Sequence, residues 1–273
     1  GITLQSNRKE VPGWRKIFFF LRKYNNISIN YGSDGTGDIY NINNIIHFVQ
    51  SVGKHSCHLV TADGGFDFSI DFNKQEQMSY RLLFSQIVAA ISIQKQGGHF
   101  ICKFFDSYTP MTTKFMWLLN CLYDKIIITK PFTSRPANSE KYIIAYNFQG
   151  VSEVYLQSLY DALKSWSYLE NANNIITDIF EDNLPNMYYN IISSYNTFNT
   201  KKQMDSILHT LHLIDTNPDG LKYHDKKKIL IKQVKIAVEW CQKYDVSINY
   251  RSTFFKETGI TPPRKTEYDT LLR

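Results

Sequence analysis

Three stretches decide the fold: HLVTADGG at 58–65, a helix-patterned run from Gln75 to Lys95, and GGHFICKFF at 97–105. His58 to Thr61 is a short apolar, β-branched run that ends on Ala62-Asp63-Gly64-Gly65, a turn signal. From Gln75, apolar residues recur at Met78, Leu82, Leu83, Ile87 and Ala90, close to a 3.6-residue period. Gly97-Gly98 is read as the stop of that helix, and His99 to Phe105 as the next strand. Strand, helix and strand in this order describe a parallel pair with a helical crossover.

The pattern continues outward. Pro110 starts a helix that Thr112 to Leu122 extends, and Lys125 to Thr129 and Tyr142 to Tyr146 read as two more strands. Pro131 and Pro136 keep 131–139 irregular. Upstream, Ile2 to Leu4 reads as the tail of a strand, Trp14 to Tyr24 as a short helix and Ile45 to Val52 as another. YGSDGTGD at 31–38 is a Gly/Asp loop. After Val151 the expectation is helices alone: 151–169, 174–194, 201–214 and 225–244, with a turn at Asn217-Pro218-Asp219-Gly220 and a loose tail over 259–273. The expected layout is an α/β domain over 1–150, a mostly parallel sheet with helices, and an α-helical C-terminal extension over 151–273.

Composition excludes several classes. At 273 residues and 43% hydrophobic, the chain suffices for one core with a smaller appended domain. Its longest uncharged apolar run, Leu82 to Gln94, falls short of the roughly 20 residues a membrane span needs, so no membrane partner is expected. No secretory signal opens the sequence, and the reading expects an intracellular protein. Four scattered cysteines without a CxxC pair argue for buried thiols rather than disulfides or zinc. His55/His58 and His209/His212 have i,i+3 spacing but no nearby ligand partners, so no metal is expected. Net charge is +6, a mild lean towards polyanions. The DKKK run at 225–228 reads as a solvated helix start. Richness in Asn, Ile, Lys and Tyr suggests an AT-rich genome, as in a large DNA virus or a protist.

In open parallel sheets, ligands bind at the carboxyl ends of the strands. Asp63 and Lys103 fall there. Glu140 opens the last strand, so it joins them only if that strand runs antiparallel. The alternative is plain: a turn acid, an edge lysine and a surface carboxylate.

The segments ADGGFD (62–67), NKQE (73–76), GGHFICKFFD (97–106) and KPFTSRPANSEKY (130–142) together resemble the FtsJ-like RNA 2'-O-methyltransferases. The resemblance is to the branch acting on the first transcribed nucleotide of capped mRNA. It extends upstream through GITL and YGSDGTGDI, and weakens after Val151. It implies a Rossmann-type fold with an antiparallel last strand. It also implies S-adenosylmethionine as cofactor, capped mRNA as substrate, and other capping enzymes or RNA polymerase as company. Location would be the nucleus in a cell, or the host cytoplasm or virion for a virus. The family tetrad Lys-Asp-Lys-Glu maps onto Asp63, Lys103 and Glu140, with Lys103 as base and the carboxylates orienting it. A ribose hydroxyl must lose its proton as the methyl arrives, and a lysine accepts it only if its ammonium form is disfavoured. Asp38 and Ile39 match the adenine site, Asp34 less well, and Asp63 also borders the cofactor. Asn73, Lys74, Gln75, Ser134, Arg135 and Asn138 match the RNA-contacting positions. The family's first lysine and its Gly-rich cofactor loop would lie upstream of Gly1, so the resemblance implies an N-terminally truncated segment, or one whose missing half another chain supplies, and a segment inactive alone. The rival expectations are a 2'-O-methyltransferase of ribosomal or transfer RNA, and a non-catalytic RNA-binding scaffold of a capping complex.

Overall fold

The computed structural model describes residues 1–6, 18–65, 71–171, 176, 178–180 and 183–262. Residues 14–17 of the Trp14 to Tyr24 segment and 263–273 of the 259–273 tail lie outside them. The chain divides into two compact units. The first comprises residues 1–129 and 140–197, the second 130–139 and 198–273.

The first unit is built on a four-stranded sheet. Helices α1 (Phe18–Lys23) and α2 (Ile42–Val52) precede β1 (Cys57–Ala62). A 3-10 turn (Phe72–Lys74), α3 (Gln75–Met78) and α4 (Tyr80–Ile93) lead into β2 (Gln94–Phe104). Then come α5 (Pro110–Leu122), β3 (Tyr123–Thr129) and β4 (Lys141–Phe148). The strand order is β1-β2-β4-β3. β1 and β2 are parallel, whereas β4 lies between β2 and β3 and is antiparallel to both. The antiparallel β4 brings the start of that strand, and Glu140 just before it, to the ends of β1 and β2. Ile2 makes an isolated parallel bridge to Asn30.

Helix α4 packs on β1 and β2, and α5 on β3 and β4. Ile87, Val88 and Ile91 of α4 are fully buried with Phe84, which stacks on Phe115 of α5 at 5.5 Å. Helix α6 (Glu153–Asn171) completes this core with Leu156, Leu159, Leu163 and Trp166. Methylenes and rings buried at this density contribute about 1.5–3 kcal/mol per large side chain, so α6 is structurally part of the first unit.

Two differences from the sequence reading have clear physical causes. Gly97-Gly98 does not stop a helix, because α4 ends at Ile93 and β2 begins at once. The buried Gln94 side chain makes the junction, donating from Nε2 to Cys57 O at 3.0 Å and His58 O at 3.3 Å. A Cβ at Gly98 would sit 2.3 Å from that Nε2 and 2.8 Å from His58 O, so only glycine lets the strand pass. The helix expected over 201–214 and the second part of that expected over 174–194 are one, α7 (Asn186–Thr216), while residues 174, 175, 177, 181 and 182 of the expected helix lie outside the described residues. Pro185 lies just before its start, and neither glycine nor proline interrupts SSYNTFNT at 193–200.

In the second unit, α8 (Tyr223–Lys243) and the short α9 (Thr253–Thr258) follow α7. Gly259 caps α9 in the left-handed conformation. Among the described residues, no helix is long and apolar enough to cross a membrane.

Candidate active site

Lys103 sits at the last turn of pleat in β2 and Asp63 follows β1, so the parallel pairing of Ala62 with Cys102 sets them side by side. The Lys103 Nζ lies 2.7 Å from Asp63 Oδ1. The lysine side chain is 15% exposed and the aspartate 74%, so a sheltered Nζ faces a carboxyl group open to solvent. The same Nζ stands 5.8 Å above the Phe105 ring. Gly64 N–H donates to Gln86 Oε1 at 2.7 Å, which anchors the turn carrying Asp63 to α4.

Glu140 reaches the site through a residue the sequence reading passed over. Tyr142 is the cross-strand partner of Lys103 in the antiparallel pair, and so lies on the same face of the sheet. Its hydroxyl donates to Glu140 Oε1 at 3.2 Å. Burial, then the negative charges of Glu140 and Asp63, push the Tyr142 hydroxyl up to about 12. Tyr142 therefore stays a protonated donor at neutral pH. The signal for it was strand alternation, because i and i+2 share a face and Glu140 was already assigned.

The chain just after β2 is held on two sides. Lys141, almost fully buried, donates from Nζ to Phe105 O at 2.9 Å and pairs with Asp106 Oδ1 at 3.0 Å. Glu76, last residue of NKQE, accepts from Thr109 N (3.0 Å), Thr109 Oγ1 (2.7 Å) and Tyr108 N (3.2 Å). Thr109 is the N-cap of α5, where a carboxylate also complements the helix dipole. Ser107 and Asn196 of α7 exchange two bonds, Oγ to Oδ1 at 2.8 Å and Nδ2 to O at 2.7 Å. Loop backbone in this region is thus fixed rather than left to solvent.

The predicted adenine loop, 31–39, is organised by Asn44, which is fully buried in α2. Its Nδ2 donates to Asp34 Oδ1 at 2.9 Å and Asp38 O at 3.0 Å, while its Oδ1 accepts from Ser33 Oγ at 3.1 Å. Asp34 also accepts from Thr36 N and Oγ1, at 2.9 and 2.7 Å. The side-chain and backbone bonds from Thr36, with help from Asn41 and Asn44, hold its carboxyl well below the usual range. Asp34 is thereby the strut of the loop. Asp38 is oriented by Tyr40 N–H, which donates to Oδ1 at 2.9 Å, and Ile39 packs on the core. A Cβ at Gly37 (φ +68) would lie 1.7 Å from Thr3 O, so the loop closes against the first residues only with glycine. Arg81 of α4 lies over the Tyr40 ring, 4.4 Å from its centroid, and pairs with Glu170 of α6.

Of the predicted RNA-contacting residues, Asn73 and Lys74 are exposed and begin beside Asp71, whose Oδ1 accepts from Asn73 N at 3.0 Å. Lys74 Nζ pairs loosely with Asp71 at 3.6 Å. Gln75 opens α3. Ser134, Arg135 and Asn138 belong to the second unit, in a loop laced by Lys130. The Lys130 Nζ donates to Asn138 Oδ1 at 2.7 Å and Asn138 O at 2.9 Å, and Arg135 is exposed. Among the described residues, no cluster of three or more His, Cys, Asp or Glu could hold a metal ion.

A lysine–aspartate pair thus stands at the carboxyl ends of adjacent parallel strands, with a glutamate brought beside it at the start of an antiparallel one. The FtsJ-like methyltransferase family matches residues 1–148, just over half of the chain, and the chain belongs to that family. Similar relatives from several organisms share one name, cap-specific mRNA (nucleoside-2'-O-)-methyltransferase 1. The mouse protein (Mus musculus) is 38% identical over 155 residues, 54% of this chain and 18% of the relative. The human protein (Homo sapiens) is 41% identical over 128 residues, covering 45% and 15%. That of Trypanosoma cruzi is 41% identical over 121 residues, covering 44% and 33%. The chain thus spans no more than a third of the length of these relatives.

Proposed function

We propose that this chain carries the reacting end of an enzyme that methylates the ribose 2'-hydroxyl of the cap-proximal nucleotide of mRNA. The observation that carries this reading is the 2.7 Å contact between Lys103 Nζ and Asp63 Oδ1, sheltered on the lysine side and adjoining Glu140 through Tyr142. Family membership and the shared name of three relatives support it.

The loop at 31–39 fits an adenosyl group, since Asp38 has a fixed carboxylate orientation and Ile39 an apolar side chain beside it. S-adenosylmethionine, when bound, supplies a methyl on a sulfonium. Lys103 acts as the neutral amine, having first given up a proton to solvent, and its Nζ takes the proton of the attacking 2'-hydroxyl. Asp63 holds that Nζ in place, and Glu140, itself held by Tyr142, balances the charge on the other side. Catalysis beyond this proton transfer is alignment of the reacting atoms, for which the pinned loop after β2 provides rigidity. Asn73, Lys74, Gln75, Ser134, Arg135 and Asn138 contact the RNA, with Arg135 suited to two-pronged bonding of a phosphate. Such an enzyme works where transcripts are capped, beside other capping enzymes or the polymerase. That is the nucleus in a cell, or the host cytoplasm or virion if the protein is viral.

The test compares two short RNAs of one sequence, capped and triphosphate-ended, as acceptors of labelled methyl from the full-length protein. Transfer to the capped RNA alone is expected. Equal transfer to both, or preference for structured ribosomal or transfer RNA, would overturn the cap assignment.

A further inference from the structure

The net positive charge of the chain is confined to one of its two units. Unit two holds sixteen Lys and Arg against nine Asp and Glu, a net of +7; the first holds fifteen against sixteen, a net of −1. Within the second unit the charge is densest on α8, which carries six lysines and two acids. Lys228, Lys232 and Lys235 follow i, i+4, i+7 spacing and are all exposed, Lys228 by 64% of its side chain. They share one helix face, away from Val234, the buried position of the helix. Asp225, 3.4 Å from Lys228, and Glu239 flank the row.

Like charges at i,i+3 and i,i+4 destabilise a helix. Lys228 with Lys232, and Lys232 with Lys235, are two such repulsions in succession. A face that served solubility alone would do better with alternating signs. The rise between the three lysines is about 6 Å and then about 5 Å, so they present a line of cations rather than a single point. The same unit contains the loop of Lys130 and Arg135, tied to α7 by Gln203 Nε2 donating to Ala137 O at 3.2 Å. The charge therefore belongs to a unit that also holds three of the six predicted RNA-contacting residues.

We infer that the second unit is a phosphate-binding surface for single-stranded RNA, centred on the Lys228–Lys232–Lys235 face of α8. This inference rests on the reading that the methyl acceptor is RNA. Each phosphate a lysine neutralises releases counterions, so binding by this face is steeply salt-dependent. It is indifferent to base sequence, because it touches phosphates only.

The experiment measures binding of a fluorescent 20-nucleotide RNA to the full-length protein across a salt series. One triple variant is K228Q/K232Q/K235Q. The control is K95Q/K125Q/K164Q, three exposed lysines of the first unit, so that both remove the same three charges. Glutamine keeps helix propensity, and loss of the repulsions leaves the stripe variant melting no lower than wild type. The stripe variant is expected to bind at least tenfold more weakly at low salt. Its slope of log K against log salt should fall by about 2, while the control stays within about threefold of wild type. Equal weakening by the two triples, or an unchanged slope in the stripe variant, would overturn the inference. Wild-type protein that binds the 20-mer through this face yet transfers no methyl to a capped tetranucleotide would refute the methyltransferase reading and leave the binding surface standing.

Discussion

The two compact units place their side chains in opposite ways. The first buries Phe84, Phe100, Phe115, Leu163 and Trp166 around its sheet and is close to neutral. In the second, Val234 is the one buried apolar side chain among the described residues, while Met204, Leu208, Leu211 and Ile214 stand about half exposed along α7. Its charge, not its core, is its distinguishing property. A packed unit can hold three or four polar groups within tenths of an ångström, as chemistry requires. An open, basic one can follow a long polyanion without precise geometry.

The largest expected effect lies at the packed end. Lys103→Met, which keeps the length of the chain but removes the proton acceptor, should lower methyl transfer by about 10²–10⁴-fold. Thermal melting within a few degrees of wild type would show the fold intact, and transfer within a few-fold of wild type would remove Lys103 from the chemistry. Next comes the contrast in packing. Leu163→Ala should cost about 2–5 kcal/mol in denaturant unfolding, since Leu163 is fully buried. Leu208→Ala, 56% exposed, should stay within about 0.5 kcal/mol. Similar costs at both positions would erase the distinction between the units.

Smaller still is Tyr142→Phe, which removes the donor to Glu140 and nothing else. We expect about a tenfold drop in kcat with KM for RNA and cofactor unchanged, as one hydrogen bond to a charged group is worth about 1.5–3 kcal/mol. An unchanged kcat would make Tyr142 a packing residue. The smallest effect is a pH dependence of stability. The Tyr142 pKa is raised in the folded protein, so its contribution is complete below the unfolded value, about 10, and disappears as pH rises towards 12. Tyr142→Phe should therefore lose less stability than wild type over that interval, as read from melting temperatures.

Much of the first unit was legible because its signals are local. Short apolar, β-branched runs marked the strands, Pro110 marked the start of α5, and Asp63 and Lys103 stood at strand ends. The direction of β4 was the condition on which Glu140 depended, and its antiparallel pairing brings that residue in. Side chains that act across distance in sequence were not legible. Asn44 supports a loop ten residues upstream, Glu76 caps a helix thirty-three residues on, and Gln94 turns a helix into a strand by bonding to β1. Asparagines and glutamates of this kind carry no periodic signal. The length of α7 was missed because 193–200 has polar, weak helix formers but no breaker, so the helix runs on. The concentration of charge in the second unit is hidden in a total of +6: residues 198–273 alone hold fourteen Lys and Arg against nine Asp and Glu, and the loop at 130–139 adds two more that join them only in space.

The most direct measurement of the central claim is the position of the transferred methyl. Capped RNA would be labelled by the full-length protein, digested to nucleotides and analysed by mass, beside a Lys103→Met reaction. The label is expected on the ribose 2'-oxygen of the cap-linked nucleotide, and is expected to be lost with Lys103→Met. Label on a base, or on ribose in undiminished amount without Lys103, would contradict it.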